Sequence, residues 1–295
     1  MVETLKVEWQ DPRGKIWNLT SGTEGVLLDM GQSDFTLSKI EHNYIRGNTQ
    51  WSSAQVQRAE PSLKVLVGDT LTGMDYYRVA DEWWGSANSP FETGVLKVTR
   101  PDGEVRTLTA RLRDTPGTEY KYDPGAGFED NEGEAWLLTS DDSYYQGAEQ
   151  AVWFGGGQAD LNMTPFYGDK GYGWPLYIGP VHSSNGLFMT NNGQGEIWPT
   201  WTLIGPLTNP IFGTEGATLS YRGSVGEGEI VMISTKPGER FAMETHSGDN
   251  RYSRVSGVYA PLPRVTQAPI YISVEYLTED SKIICTGREQ HVRPF

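Results

Sequence analysis

The sequence predicts a mainly β chain in two parts: a strand-rich N-terminal half carrying one helix, then a β-sandwich. Three observations predict it. Short runs of alternating apolar and polar residues recur from end to end. The 35 glycines and 17 prolines supply the reversals between them, and 12% aromatic residues suit half-buried strands. A single segment departs from alternation to helical spacing.

In order, TLKVEW (residues 4–9) puts Leu5, Val7 and Trp9 on one face and Lys6 and Glu8 on the other. DPRG (11–14) turns the chain and KIWNLT resumes it. SLKVLVG (62–68) alternates again through Leu63, Val65 and Val67. Residues 73–90, GMDYYRVADEWWGSANSP, then place Tyr76, Val79, Ala80, Trp83 and Trp84 at helical spacing. Asp75 sits in the first turn, and Gly85 with Pro90 marks the predicted end. That aromatic stripe could line a ligand, but a helix laying it on a sheet is commoner, so it is read as core.

A hairpin follows in GVLKVTRPDGEVRTLTARLR. Leu96 and Val98 lead into Pro101-Asp102-Gly103, and Leu108, Ala110 and Leu112 return opposite to Thr107, Thr109 and Arg111. The polar, acidic stretch 114–134 reads as a long surface loop. A boundary near residues 145–150 gives domains 1–145 and 146–295. Beyond it, PTWTLIGP, ATLSYRG, EIVMIST and IYISVEYLT alternate over short spans, with VGEGE, KPGER and SGDNR turning the chain between the later ones. This is the pattern of a sandwich.

Several function classes find no support. The formal charge is −14 with no basic block, which opposes nucleic-acid binding from outside and reads as solubility. The single cysteine, Cys285, allows no internal disulfide and points to a reducing compartment. The opening MVETLKVEWQ has no signal-peptide pattern, no apolar run reaches membrane-spanning length, and the sequons at Asn18 and Asn162 are read as chance. His42, His182, His246 and His291 show no metal-ligand spacing. NNGQGEIW lacks the full dinucleotide fingerprint, and RGSVGEG lacks the spacing of a nucleophile elbow and reads as a hairpin end.

The acids Glu129, Asp130, Glu132 and Glu134, with Asp141 and Asp142, read as a solvated cluster. A glycosidase needs two carboxyls facing across a cleft, which a sequence cannot show. DNEGE lacks the ligand register of a calcium loop. No catalytic, metal or cofactor site is predicted, and the chain is read as a non-enzyme. The aromatics Trp153, Phe154, Trp174, Tyr177, Trp198 and Trp201 leave two readings open. Trp153, Trp174, Tyr177 and Trp198 in particular contact sugar or belong to the core.

The motifs also stand in a familiar order: DPRGKIWNLTSGTEGVLL, RGNTQW, DEWWGSANSP, GVLKVTRPDGEVRTLTARL, SDDSYYQG and NGQGEIWPTWTLIGPLTNPIF. Over nearly its whole length the chain resembles the distal tail (minor tail) proteins of long-tailed, non-contractile bacterial viruses, particularly those infecting actinobacteria. The resemblance implies an N-terminal domain that assembles into a hexameric ring at the tail tip. It also implies a galectin-like C-terminal sandwich projecting outward.

The implied partners are further copies of the chain, the tail tube protein, the tail-associated hub protein and the tape measure protein. Such a protein is made in the host cytoplasm and resides in the virion. A carbohydrate-binding receptor module touching a host glycan is the alternative. Genomic DNA would pass through the ring without specific binding, which an acidic lumen would favour. On this reading residues 198–212 form a capped sandwich strand. Trp201 and Leu203 face inward, and Gly205-Pro206 and Asn209-Pro210 end its pairing.

Overall fold

The computed structural model describes residues 4–32, 38–45, 49–68, 71–87, 90–115, 122–126, 133–155, 182–183, 186–214 and 216–295. The chain divides into two compact units, Met1–Ala148 with Gln290–Phe295, and Glu149–Glu289. The chain is mainly β, as its alternation predicts.

The first unit opens with β1 (Lys6–Gln10), β2 (Ile16–Asn18), β3 (Val26–Leu28), β4 (Ser38–Ile45), β5 (Gln50–Ala59) and β6 (Ser62–Val67). After helix α1 (Met74–Ala87) come β7 (Gly94–Thr99), β8 (Val105–Asp114), β9 (Glu134–Thr139) and β10 (Tyr145–Gly155), the last of which continues past Ala148 into the second unit. One run of strands is β2-β1-β7-β8 and the other is β3-β6-β9-β8. β8 serves both because its first half pairs with β7 and its last residues pair with β9, with a register shift between Leu112 and Asp114. A bulge of this kind lets one strand bend from one layer into another.

The β1–β2 turn shows how the sequence sets this up. The Asp11 carboxylate accepts the backbone N–H of Arg13 at 2.9 Å and of Lys15 at 2.8 Å, closing the DPRG reversal. Inward residues then line up across strands, Trp9 opposite Leu96 and Leu96 opposite Leu108. Gly94 is required here. A Cβ on it would lie 2.3 Å from the Trp9 ring and 2.7 Å from the Gln10 carbonyl oxygen.

Helix α1 buries Tyr76, Val79 and Trp83, the face its spacing predicts, while Ala80 and Trp84 pack half-buried beside it. Trp83 meets Trp17 and Trp136 edge-on, each at 5.3 Å between centroids. Such pairs add to plain burial. The helix runs to Ala87, between the Gly85 and Pro90 that mark its end in the sequence, and passes through Gly85. A glycine costs an exposed helix about 1 kcal/mol, and tertiary anchoring outweighs it. Ser86 is buried, with its hydroxyl donating to the Trp83 carbonyl at 2.9 Å.

The second unit adds β11 (His182–Ser183), β12 (Leu187–Met189), β13 (Thr200–Ile204), β14 (Leu207–Thr208), β15 (Ile211–Thr214), β16 (Ala217–Tyr221) and β17 (Ser224–Val225). It continues with β18 (Ile230–Ser234), β19 (Phe241–Glu244), β20 (Val255–Gly257), β21 (Ala268–Val274), β22 (Tyr276–Leu277) and β23 (Lys282–His291). The strands fall into β19-β18-β13-β23-β10 on one side and β11-β21-β15-β16-β20 on the other, with β12 also on β21 and a small β17-β14-β22 sheet. Inward residues of both large sheets form one buried cluster, from Trp201, Leu203, Ile233 and Ile283 to Phe212, Leu219, Tyr221 and Ile272. The two sheets therefore face each other, as a sandwich requires. Trp201 and Phe212 meet across the layers at 4.9 Å.

The stretch 198–212 is not one strand. Trp201 and Leu203 do face inward, but the segment supplies β13, β14 and the start of β15, each in a different sheet. The chain switches sheet at Gly205-Pro206 and again at Asn209-Pro210, where Asn209 adopts φ 47°. Prolines that cannot donate to a ladder and a left-handed Asn are the physical reason. Asn209 is held there by its own side chain, which accepts Gly223 N–H at 2.8 Å and donates to Glu275 at 2.7 Å.

Candidate interaction surfaces

The β4–β5 ribbon is the most unusual surface of the first unit. Register places Ile40 opposite Val56, His42 opposite Ala54 and Tyr44 opposite Trp51 on one face. Glu41 opposite Gln55 and Asn43 opposite Ser53 occupy the other. The ribbon is thus amphipathic at period two. Its apolar face is open among the described residues: Ile40, Tyr44 and Trp51 are 52%, 49% and 57% exposed. Two-stranded ribbons are marginal alone. This one is stiffened by Trp51 Nε1 donating to His42 Nδ1 at 3.2 Å and by Gln57 donating to Glu41 at 2.7 Å. Its base is tied down where Ser143 donates to the Val56 carbonyl and Ala59 N–H donates to the Asp142 carbonyl. The signal was present in the sequence as KIEHNYI and QWSSAQV, an alternation the reading above passed over.

A second concavity of the first unit, ≈ 590 Å³, lies between the 21–25 loop and α1. Lys15, Arg78, Glu24 and Glu82 line it, and Lys15 already pairs with Glu82 at 2.6 Å and lies 3.7 Å over the Trp17 ring. Arg78 pairs with Asp75 at 3.1 Å and Glu24 accepts the Asn18 N–H at 2.8 Å, so each of these charges already has a partner.

The aromatics singled out from the sequence do not assemble into one groove. Trp153 stands on β10, two-fifths exposed, with the Lys282 ammonium 5.4 Å from its ring centroid. Trp198 is half-buried just before β13, and no ring contact joins it to Trp153 among the described residues. Phe154 and Trp201 belong to the sandwich core. Trp174 and Tyr177 lie outside the described residues, as does Asn162. Cys285 is buried between the sheets, and burial pushes its thiol well above the ordinary range, so it is an inert core residue.

One further concavity belongs to the second unit. Arg240, Phe241, Met243, Gly248, Asn250 and Tyr252 surround ≈ 250 Å³ beside the edge strand β19. It stands on a tight turn organised by Glu244, whose carboxylate accepts N–H groups from His246 at 3.1 Å and Ser247 at 2.5 Å. Those backbone hydrogen bonds hold the Glu244 carboxyl far below the usual range.

No protein-family model matches the chain, and no curated protein matches it in sequence. Solved structures do match in fold. The crystal structure of the Dit protein of phage SPP1, described as a paradigm of the hub adsorption apparatus in phages infecting Gram-positive bacteria, superposes with TM-score 0.57 at 13% identity, covering 97% of this chain and 99% of that one. What the two chains share is the fold. Chains of the phage P2 baseplate in its activated conformation match with TM-score 0.46 (Ca form, 11% identity, 92% and 97% covered) and 0.47 (Sr form, 11%, 94% and 99%).

Proposed function

We propose that the chain is a structural protein of a phage tail tip, forming a ring that joins the tail tube to the hub and adsorption apparatus. The observation that carries this is the β4–β5 ribbon: a stiffened, amphipathic hairpin whose apolar face has no cover among the described residues. Exposed apolar surface of this kind marks a protein contact. A head-to-tail contact between identical subunits closes into a ring when its rotation allows. The shared fold with the SPP1 Dit protein, whose structure is described as a hub paradigm, supports the same reading.

In this reading an N-terminal domain, residues 1–145, forms a hexameric ring and a galectin-like sandwich, 146–295, faces outward. The neighbours are the tube, hub and tape measure proteins of an actinobacterial virus, assembled after synthesis in the host cytoplasm. The role is structural, not catalytic. Excess acid keeps the lumen from holding the DNA that passes it.

The test is assembly. Light scattering over a concentration range, with negative-stain imaging, should show rings for the unaltered chain and subunits for a Tyr44→Ala/Trp51→Ala double variant. Rings that survive this change would remove the ribbon from the contact. A chain that forms no oligomer at any concentration, with or without tube protein, would sink the reading.

A further inference from the structure

The concavity beside β19 carries an inference that stands independently of the ring, because it is built wholly from residues 240–259. Phe241 and Met243 face outward from β19, alternating with buried Ala242 and Glu244. The edge of β19 is closed by the returning chain, as Arg251 N–H donates to the Ala242 carbonyl at 2.7 Å and Glu244 N–H to the Asp249 carbonyl at 2.9 Å. That return carries Asn250 and Tyr252 to the opposite side of the concavity. Tyr252 stacks on Tyr259 (6.1 Å, 16° between planes), and the Arg240 guanidinium lies 4.8 Å from the Tyr259 centroid. Arg240, Tyr259 and Tyr252 thus form one continuous stack, fixed before any ligand arrives.

The charges around it are uneven. Neighbouring acids have other partners: Glu239 pairs with Lys236 at 2.9 Å, and Glu229 and Asp249 with Arg251 at 2.8 and 3.5 Å. Arg240 has no carboxylate partner among the described residues, in a chain with 38 acids and 24 lysines and arginines. Asn250 uses its oxygen to accept Tyr252 N–H at 2.8 Å, leaving its amide nitrogen without a protein acceptor among them. The site therefore offers a guanidinium fork and an amide as donors between apolar and aromatic walls.

We infer that this pocket binds a single anionic sugar ring, one bearing a carboxylate or a phosphate. Donors in excess call for an acceptor-rich anion, and a guanidinium meets such an anion two-pronged. Phe241, Met243 and Tyr252 offer apolar surface to the C–H face of a pyranose. The volume of ≈ 250 Å³ leaves room for one such ring.

The probes are methyl glucuronide, glucose phosphate, neutral methyl glucoside and N-acetylglutamate, each titrated into the full-length chain and read by saturation-transfer NMR. One or both anionic sugars should bind in the millimolar range, and which one does identifies the anion. Arg240→Gln should weaken that binding about tenfold, the loss of a charge-assisted contact, and Tyr252→Ala should weaken it too. Both side chains are exposed, so an unchanged far-UV spectrum is expected and is checked first. Three results would overturn the inference: no transfer from either anionic sugar, glucoside binding equal to glucuronide and insensitive to Arg240→Gln, or N-acetylglutamate binding as well as the sugars.

Discussion

Two hairpins of the first unit, β7–β8 and β4–β5, follow the same local rule with opposite outcomes. Both alternate apolar and polar residues across an antiparallel register. In β7–β8 the apolar row of Leu96, Val98, Leu108 and Ala110 is fully buried. In β4–β5 the row of Ile40, Tyr44 and Trp51 stands in solvent. Alternation therefore encodes a face and leaves open what covers it. Where the cover comes from within the subunit the face is core, and where it does not the face is free for another chain.

The largest expected effect tests the covered face. Leu108→Ala removes a side chain with no solvent exposure, and should destabilise the subunit by about 2–5 kcal/mol in chemical denaturation. Gly94→Ala should come next, at about 1–3 kcal/mol, because the added methyl meets the packed Trp9 ring and the Gln10 carbonyl. If either variant unfolded at the same denaturant concentration as the parent, the β7–β8 face would not be the core described here.

The uncovered face should respond in the opposite currency. Trp51→Ala should shift the stability of a dilute, dissociated subunit by only about 0.5 kcal/mol, as exposed positions do. It should nevertheless raise the concentration at which oligomers appear by sizing with light scattering. A large loss of subunit stability with unchanged assembly would invert the comparison, making Trp51 a folding residue of its own subunit.

The same contrast explains what the sequence disclosed. Strand pairs, the helix face and the inward Trp201 and Leu203 were legible because burial enforces period on each of them. The end of α1 was legible to within the span from Gly85 to Pro90, and the residues past Gly85 stay helical where Ser86 is buried against the Trp83 carbonyl. The split of 198–212 into three strands was only half legible: its Pro and Gly pairs announce the breaks and say nothing of which sheet follows. The pocket beside β19 was not legible, since Arg240, Asn250 and Tyr252 meet only through the turn that Glu244 holds.

The smallest expected effect concerns the polar sides of these strands, and it has a pH signature. Glu8 on β1 is buried on the face opposite Val7 and Trp9, where Lys6 and Lys97 reach it at 2.7 and 3.3 Å. Burial pushes its carboxyl up, but the two ammonium groups together outweigh this and leave it below its ordinary 4.5. A carboxyl lowered by folding stabilises the fold above its unfolded pKa, and that contribution fades as pH falls through the folded value. Glu8→Gln should thus cost about 1 kcal/mol or less at pH 7, given lysines half in solvent. The gap between parent and variant melting temperatures should narrow as the pH is lowered below 4.5. In the β4–β5 ribbon Glu41 is bonded to the neutral Gln57. Glu41→Gln should give a smaller gap at pH 7, since it exchanges one hydrogen bond to an exposed neutral partner. A loss of stability at Glu41 as large as that at Glu8 would show that the ribbon's polar side is as firmly tied to its subunit as β1, and would weaken the case that the ribbon belongs to a contact with another chain.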